Sequence, residues 1–225
     1  MTTTLPDLSF LETRVIGVLA EKQRTVPDSY PLTLNSLVSG CNQKSSRDPV
    51  IEASESEVLV ALDSLRGLSL IVETSGGRAS RYGHNIERVL YIPTQSTALL
   101  TMLMLRGPQT AGELRLNCER LHKFADISSV ESFLVELAER AAGALVVELP
   151  RQPGARENRW MHLLSGAPVI EASVSSRTAS AAPTGDVTVG EIAALKANVA
   201  RLEAEVSELR TMMGRLCAEL GVSAR

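Results

Sequence analysis

The chain has 225 residues, of which 44% are hydrophobic but only 3% aromatic, and it carries 23 Lys and Arg against 26 Asp and Glu. That length holds one large domain or two small ones, with cores built mainly from Leu, Val and Ala. A near-neutral total excludes no partner by itself, but residues 1–90 (9 cationic, 11 anionic), 91–165 (8 and 8) and 166–225 (6 and 7) all lack the basic excess of a strong electrostatic DNA binder.

The N-terminal MTTTLPDLSF has neither a charged leader nor an apolar run, so no export is expected. No apolar stretch approaches the roughly 18 residues that cross a bilayer. Three well-separated cysteines, Cys41, Cys118 and Cys217, fit reduced thiols, and the expected location is the cytoplasm.

In chain order, Leu11, Val15, Val18 and Leu19 share one face of a helix ending near Lys22. Thr33 caps a short helix bearing Leu34, Leu37 and Val38. The polar loop CNQKSSRDPV, residues 41–50, follows. Ser54 and Glu57 have capping-box spacing and open a third helix whose inner face is Val58, Ala61, Leu62 and Leu65. LIVET, Gly76-Gly77 and RASRYGH suit a β-hairpin.

The same plan then recurs. LTLNSLVSGC at 32–41 aligns with QTAGELRLNC at 109–118, pairing Thr33 with Thr110, Leu37 with Leu114 and Cys41 with Cys118. Leu62 and Leu65 pair with Leu134 and Leu137, and RASRY at 78–82 with RENRW at 156–160. The second unit has helices at about 96–105, 110–122 and 128–141, then strands in ALVVELP and NRWMHLL. Three helices and a hairpin, twice, predict a mainly α chain with small β-hairpin wings (α+β): two tandem winged-helix domains at 1–90 and 91–165.

Residues 166–187 read as a flexible Ala/Ser/Thr-rich linker. Over 188–221, Ile192, Val199, Val206 and Met213 alternate with Leu195, Leu202, Leu209 and Leu216 in heptads that continue to Leu220. Largely β-branched a positions with leucine at each d predict a parallel two-stranded coiled coil and a homodimer. Glu191–Lys196 and Glu205–Arg210 support that pairing. The alternative is one amphipathic helix folding back onto the domains.

The segments ETRVIGVLAEK at 12–22, TVPDSYPLTLN at 25–35 and CNQKSSRDPV at 41–50 strongly resemble the YceH-like family of bacterial proteins. The resemblance spans roughly residues 8 to 165 and implies two tandem winged-helix domains. It implies no activity, cofactor or catalytic residue.

Chemistry has few candidates. The chain contains no Gly-rich phosphate loop, G-x-S-x-G elbow or H-E-x-x-H pair. His84, His122 and His162 are scattered, and Cys118 with His122 offers two ligands where structural zinc takes four. No enzyme, cofactor or metal is expected. Cys41 and Cys118 read as small buried thiols.

DNA is the base-rate partner of a winged helix, through its third helix and hairpin. Here the outer faces of the third helices, Ser56, Val60, Asp63 and Gly67, then Ser128, Ser132, Val135 and Glu139, carry no cation. Cations cluster instead at Lys44, Arg47, Arg78, Arg81, Arg156 and Arg159, with Arg88, Arg151 and His84 close by. The leading expectation is a DNA-associated regulator that touches duplex phosphates through the hairpins and the 41–50 loop. The competing one is a protein scaffold that uses the acidic third-helix faces, with no DNA. For the loop itself, the competing reading is a structural corner fixed by side-chain-to-backbone hydrogen bonds.

Overall fold

A computed structural model describes residues 5–75, 79–152 and 154–167, all within one compact unit, Met1–Ile170. The expected linker (except its first two residues), the coiled-coil heptads and Arg78 lie outside the described residues. Within them the protein is mixed α+β, with seven α-helices and two small antiparallel sheets.

The first helix, α1 (Phe10–Thr25), starts at a capping box: Ser9 accepts from the Glu12 amide and the Glu12 carboxylate accepts from the Ser9 amide. A short strand, β1 (Leu32–Thr33), runs into α2 (Leu34–Cys41), with Thr33 as its cap. The third helix, α3 (Glu55–Gly67), opens at the Ser54–Glu57 box and buries Val58, Ala61, Leu62 and Leu65. Strands β2 (Ile71–Thr74) and β3 (Arg81–His84) form the hairpin, and β1 adds to β3 on its other side. A five-residue helix, α4 (Ile86–Leu90), carries the chain to α5 (Thr94–Arg106). Then come α6 (Ala111–Asn117), α7 (Ile127–Ala138), β4 (Val146–Glu148) and β5 (Trp160–His162).

The internal repeat is visible in single hydrogen bonds. Leu32 pairs with Tyr82 across the first sheet, and Gln109 bridges Trp160 in the second. Arg81 Nη1 donates to the Pro31 carbonyl at 2.9 Å, and its counterpart Arg159 Nη1 donates to the Pro108 carbonyl at 2.8 Å. Cys41 and Cys118 are both fully buried.

The two units share one core. Sequence periodicity gives α1 a single apolar face, but residues 12–20 are buried consecutively, as are 96–105 in α5. Each helix packs against its own unit on one side and against the other helix on the opposite side, as a helix buried all round must. Gly17 makes the approach possible: a Cβ there would lie 2.9 Å from Leu105 Cδ2 and 3.4 Å from Met104 Cβ. Among the described residues no helix is long and apolar enough to cross a membrane.

Candidate functional site

The cationic loop 41–50 is bound into the fold from beneath. Asn42 and Ala53 exchange two hydrogen bonds, each 2.8 Å, which close the loop like a sheet pair. Arg14 is fully buried in α1 and donates from Nη2 to the Pro49 carbonyl at 2.8 Å and from Nη1 to the Cys41 carbonyl at 3.5 Å. The loop is thus held at both ends by one side chain. The Asp48 amide donates to the Leu105 carbonyl at 2.8 Å, which ties the loop to the second unit.

Arg47 was expected to face phosphate and instead points inward. Its side chain is fully buried and makes a two-pronged ion pair with Glu21, at 2.6 and 3.2 Å. Nε donates to the Gly40 carbonyl, and the remaining contacts reach the Ser46 carbonyl and Gln43. A guanidinium has five donors in a planar fork, and this one is engaged by its own chain. Burial pushes the Glu21 carboxyl up, but the Arg47 hydrogen bonds and charge, with Lys22 beside it, hold it below its ordinary value. Local spacing does not reveal this pair, because Arg47 is in a loop and Glu21 lies 26 residues away on α1. Gln43 accepts from Lys22 and from Arg47, so it too belongs to this internal network.

The other expected cations divide into two groups. Arg81 and Arg159 are exposed, but each clasps its hairpin to the chain ahead of the second helix of its unit, and Arg159 also pairs with Glu113 at 3.1 Å. Lys44, Arg156 and Arg151 stand exposed. His84 adds no charge at neutral pH, because burial, with Arg24 nearby, lowers its pKa to about 4. Recurrence of Arg81 as Arg159, each before a buried aromatic, is the sequence signal for the clasp.

The outer faces of the third helices match the sequence reading residue for residue. Ser56, Val60, Asp63 and Gly67 are exposed on α3, and Ser128, Ser132 and Val135 on α7, with Glu139 at its C-cap. Val60 is 71% exposed and is joined by Leu59, while Ile127 stands with Val135 on α7. Glu52, Glu55, Glu131 and Glu136, near these apolar side chains in sequence, are exposed as well. The one cation on α3, Arg66, is neutralised by Asp63 at 2.7 Å and Glu73 at 2.8 Å. Each unit therefore presents an acidic surface studded with apolar groups.

Nothing among the described residues gathers three or more His, Cys, Asp or Glu in a metal-binding group. Burial pushes the Cys41 thiol up to about 11 and that of Cys118 up to about 12, so neither forms a thiolate at neutral pH. His122 packs edge-on against Phe124, with ring centroids 4.7 Å apart.

Residues 8–155 match a family model described as a protein of unknown function, DUF480. The chain is 63% identical over 213 residues to a UPF0502 protein of Dechloromonas aromatica, covering 95% of this chain and 97% of the relative. It is 62% identical over 215 residues to a UPF0502 protein of Methylibium petroleiphilum, covering 96% and 91%. A UPF0502 protein of Burkholderia ambifaria is 56% identical over 218 residues, covering 97% and 91%. The chain belongs to this family of unknown function, whose label differs from the YceH-like name that the motifs suggest.

Proposed function

We propose that the chain is a non-enzymatic tandem winged-helix adaptor that docks a basic, amphipathic segment of a partner protein on the outer faces of α3 and α7. The observation that carries this reading is the pairing of exposed Val60 and Val135 with acidic neighbours, at the positions where a winged helix that reads DNA needs cations. Carboxylates directed at phosphates are repelled, and without exposed Arg, Lys, Asn or Gln there is little to read a purine edge. Apolar side chains accompanied by charge instead suit a protein contact of modest size.

In this reading residues 192–220 join two such units in a coiled coil, so that the adaptor is bivalent. Light scattering should then give the molar mass of a dimer, and Leu202→Asp with Leu209→Asp should return it to a monomer. A monomeric wild type at tens of micromolar removes the dimer.

The docking surface is tested by affinity capture from the native cell, with wild type and a Val60→Lys, Val135→Lys variant side by side. Both positions are exposed, so the variant should keep its thermal midpoint while losing the partners that wild type retains. Equal capture by the two proteins removes the third-helix surface from the account. The DNA-associated regulator remains the second reading. It rests on exposed Lys44, Arg151 and Arg156, which would contact backbone without reading sequence.

A further inference from the structure

A cleft of about 460 Å³ opens where the loop at Ser46, the α5–α6 connection and the second hairpin meet. Its volume falls in the range of small-molecule sites, about 300–1,000 Å³. At its wall stands Arg106, the last residue of α5, half-buried. Nη1 donates to Asn117 Oδ1 at 2.9 Å and Nη2 to Ser46 Oγ at 2.8 Å, both neutral acceptors. Nε is buried with no hydrogen-bond partner, and among the described residues no carboxylate oxygen lies within 4.0 Å of this guanidinium.

The frame that holds Arg106 is itself fixed. Asn117 Nδ2 donates to Gln109 Oε1 at 2.6 Å, which sets the amide so that its oxygen faces Arg106. Gln109 is buried and donates to the Met102 carbonyl at 3.0 Å. A guanidinium held in place, partly desolvated and without a counter-ion is unfavourable unless something supplies the missing charge. An oxyanion in the cleft supplies that charge, and each Nη keeps a second N–H beyond its bond to Asn117 or Ser46 with which to donate to it. Arg159 lines the same cleft, and its pair with Glu113 is exposed on both sides, so it exchanges readily for a ligand. Asp48 and Glu157, exposed carboxylates that also line the cleft, disfavour a polyanion.

We propose that this cleft binds a small ligand bearing a single oxyanion, seated on Arg106 and Arg159 with its body against Pro108 and Leu149. Because Ser46 belongs to the first unit and Asn117 to the second, occupancy ties the two units together. The site stands apart from the third-helix surfaces and does not rest on the adaptor reading. A free carboxylate and a free phosphate share the required chemistry, and the experiment separates them.

The lone tryptophan, Trp160, adjoins Arg159 and pairs with Gln109 through its backbone, so its fluorescence reports on the cleft. The full chain is titrated with sodium acetate and, separately, sodium phosphate, with sodium chloride holding ionic strength constant. One of the two salts should give a saturable fluorescence change and raise the thermal midpoint by mass action. Saturation by acetate assigns a carboxylate ligand; saturation by phosphate assigns a phosphate. Arg106→Gln should weaken binding by about tenfold or more, while Arg120→Gln, exposed and outside the cleft, should leave it unchanged. Ala155→Phe obstructs the cleft from an exposed position without touching Arg106, and should abolish the signal even if Arg106→Gln fails to fold. Absence of saturation with both salts, or wild-type affinity in Ala155→Phe, overturns the proposal.

Discussion

Replacing Arg47 by alanine is expected to destabilise the fold by about 3–5 kcal/mol, the usual range when one partner of a buried ion pair is removed. Three losses combine. Glu21 is left as a nearly buried carboxylate with only Lys22 beside it, at 3.3 Å. The Gly40 carbonyl loses its side-chain donor. Ser46, at a positive φ of 59°, loses the contact that helps to hold it there. For a unit of this size the thermal midpoint should fall by on the order of 10 °C.

The same variant has a pH signature. In wild type the Glu21 carboxyl sits below its ordinary value, so the pair contributes fully above that value and is lost as pH falls through the lowered one. Without Arg47, burial acts with little opposition and raises the carboxyl; protonation then relieves the variant as pH falls. The stability gap between the two proteins should therefore be widest near neutral pH and narrow through the carboxylate range. Urea unfolding at pH 7 and at pH 4 checks both parts. A gap that is small at pH 7, or equal at the two pH values, contradicts the assigned role.

Gly17→Leu should be nearly as damaging for a different reason. The site has no room: even a Cβ meets Leu105 at 2.9 Å, and Leu105 is itself fully buried. Alanine would gain up to about 1 kcal/mol of helix propensity, so its net sign turns on whether Leu105 yields by a few tenths of an ångström. Leucine cannot be absorbed that way and must push α1 from α5, at about 3 kcal/mol and a fall in midpoint of roughly 6–12 °C. Since α1 and α5 are the spine of the shared core, calorimetry should show one transition for wild type and a broader one for the variant. An unchanged midpoint would mean that the two units do not depend on this crossing.

What the sequence disclosed was local. The capping box at Ser54 sits within four residues of its partner, and the inner face of α3 follows from helical spacing alone. The acidic outer faces were legible for the same reason, since a face is the complement of its core. The role of Arg47 was not, because its partner Glu21 lies 26 residues away on α1. Arg81 likewise reaches back 50 residues to the Pro31 carbonyl. All-round burial of α1 and α5 was hidden because it arises only when two repeats dock, and a single apolar stripe satisfies either one alone. Strand β1 escaped because two residues carry no period. The cleft around Arg106 draws on three separate segments, and no spacing could have joined them.

The measurement that bears most directly on the adaptor reading is a fluorescence-anisotropy titration of a random-sequence duplex with the full chain, at low and at near-physiological salt. With Arg47 buried, Arg81 and Arg159 clasping backbone, and carboxylates on both third helices, no saturable binding is expected at either salt. Micromolar or tighter binding that weakens steeply with salt, as release of phosphate counterions requires, would contradict the account and return Lys44, Arg81 and Arg156 to the duplex.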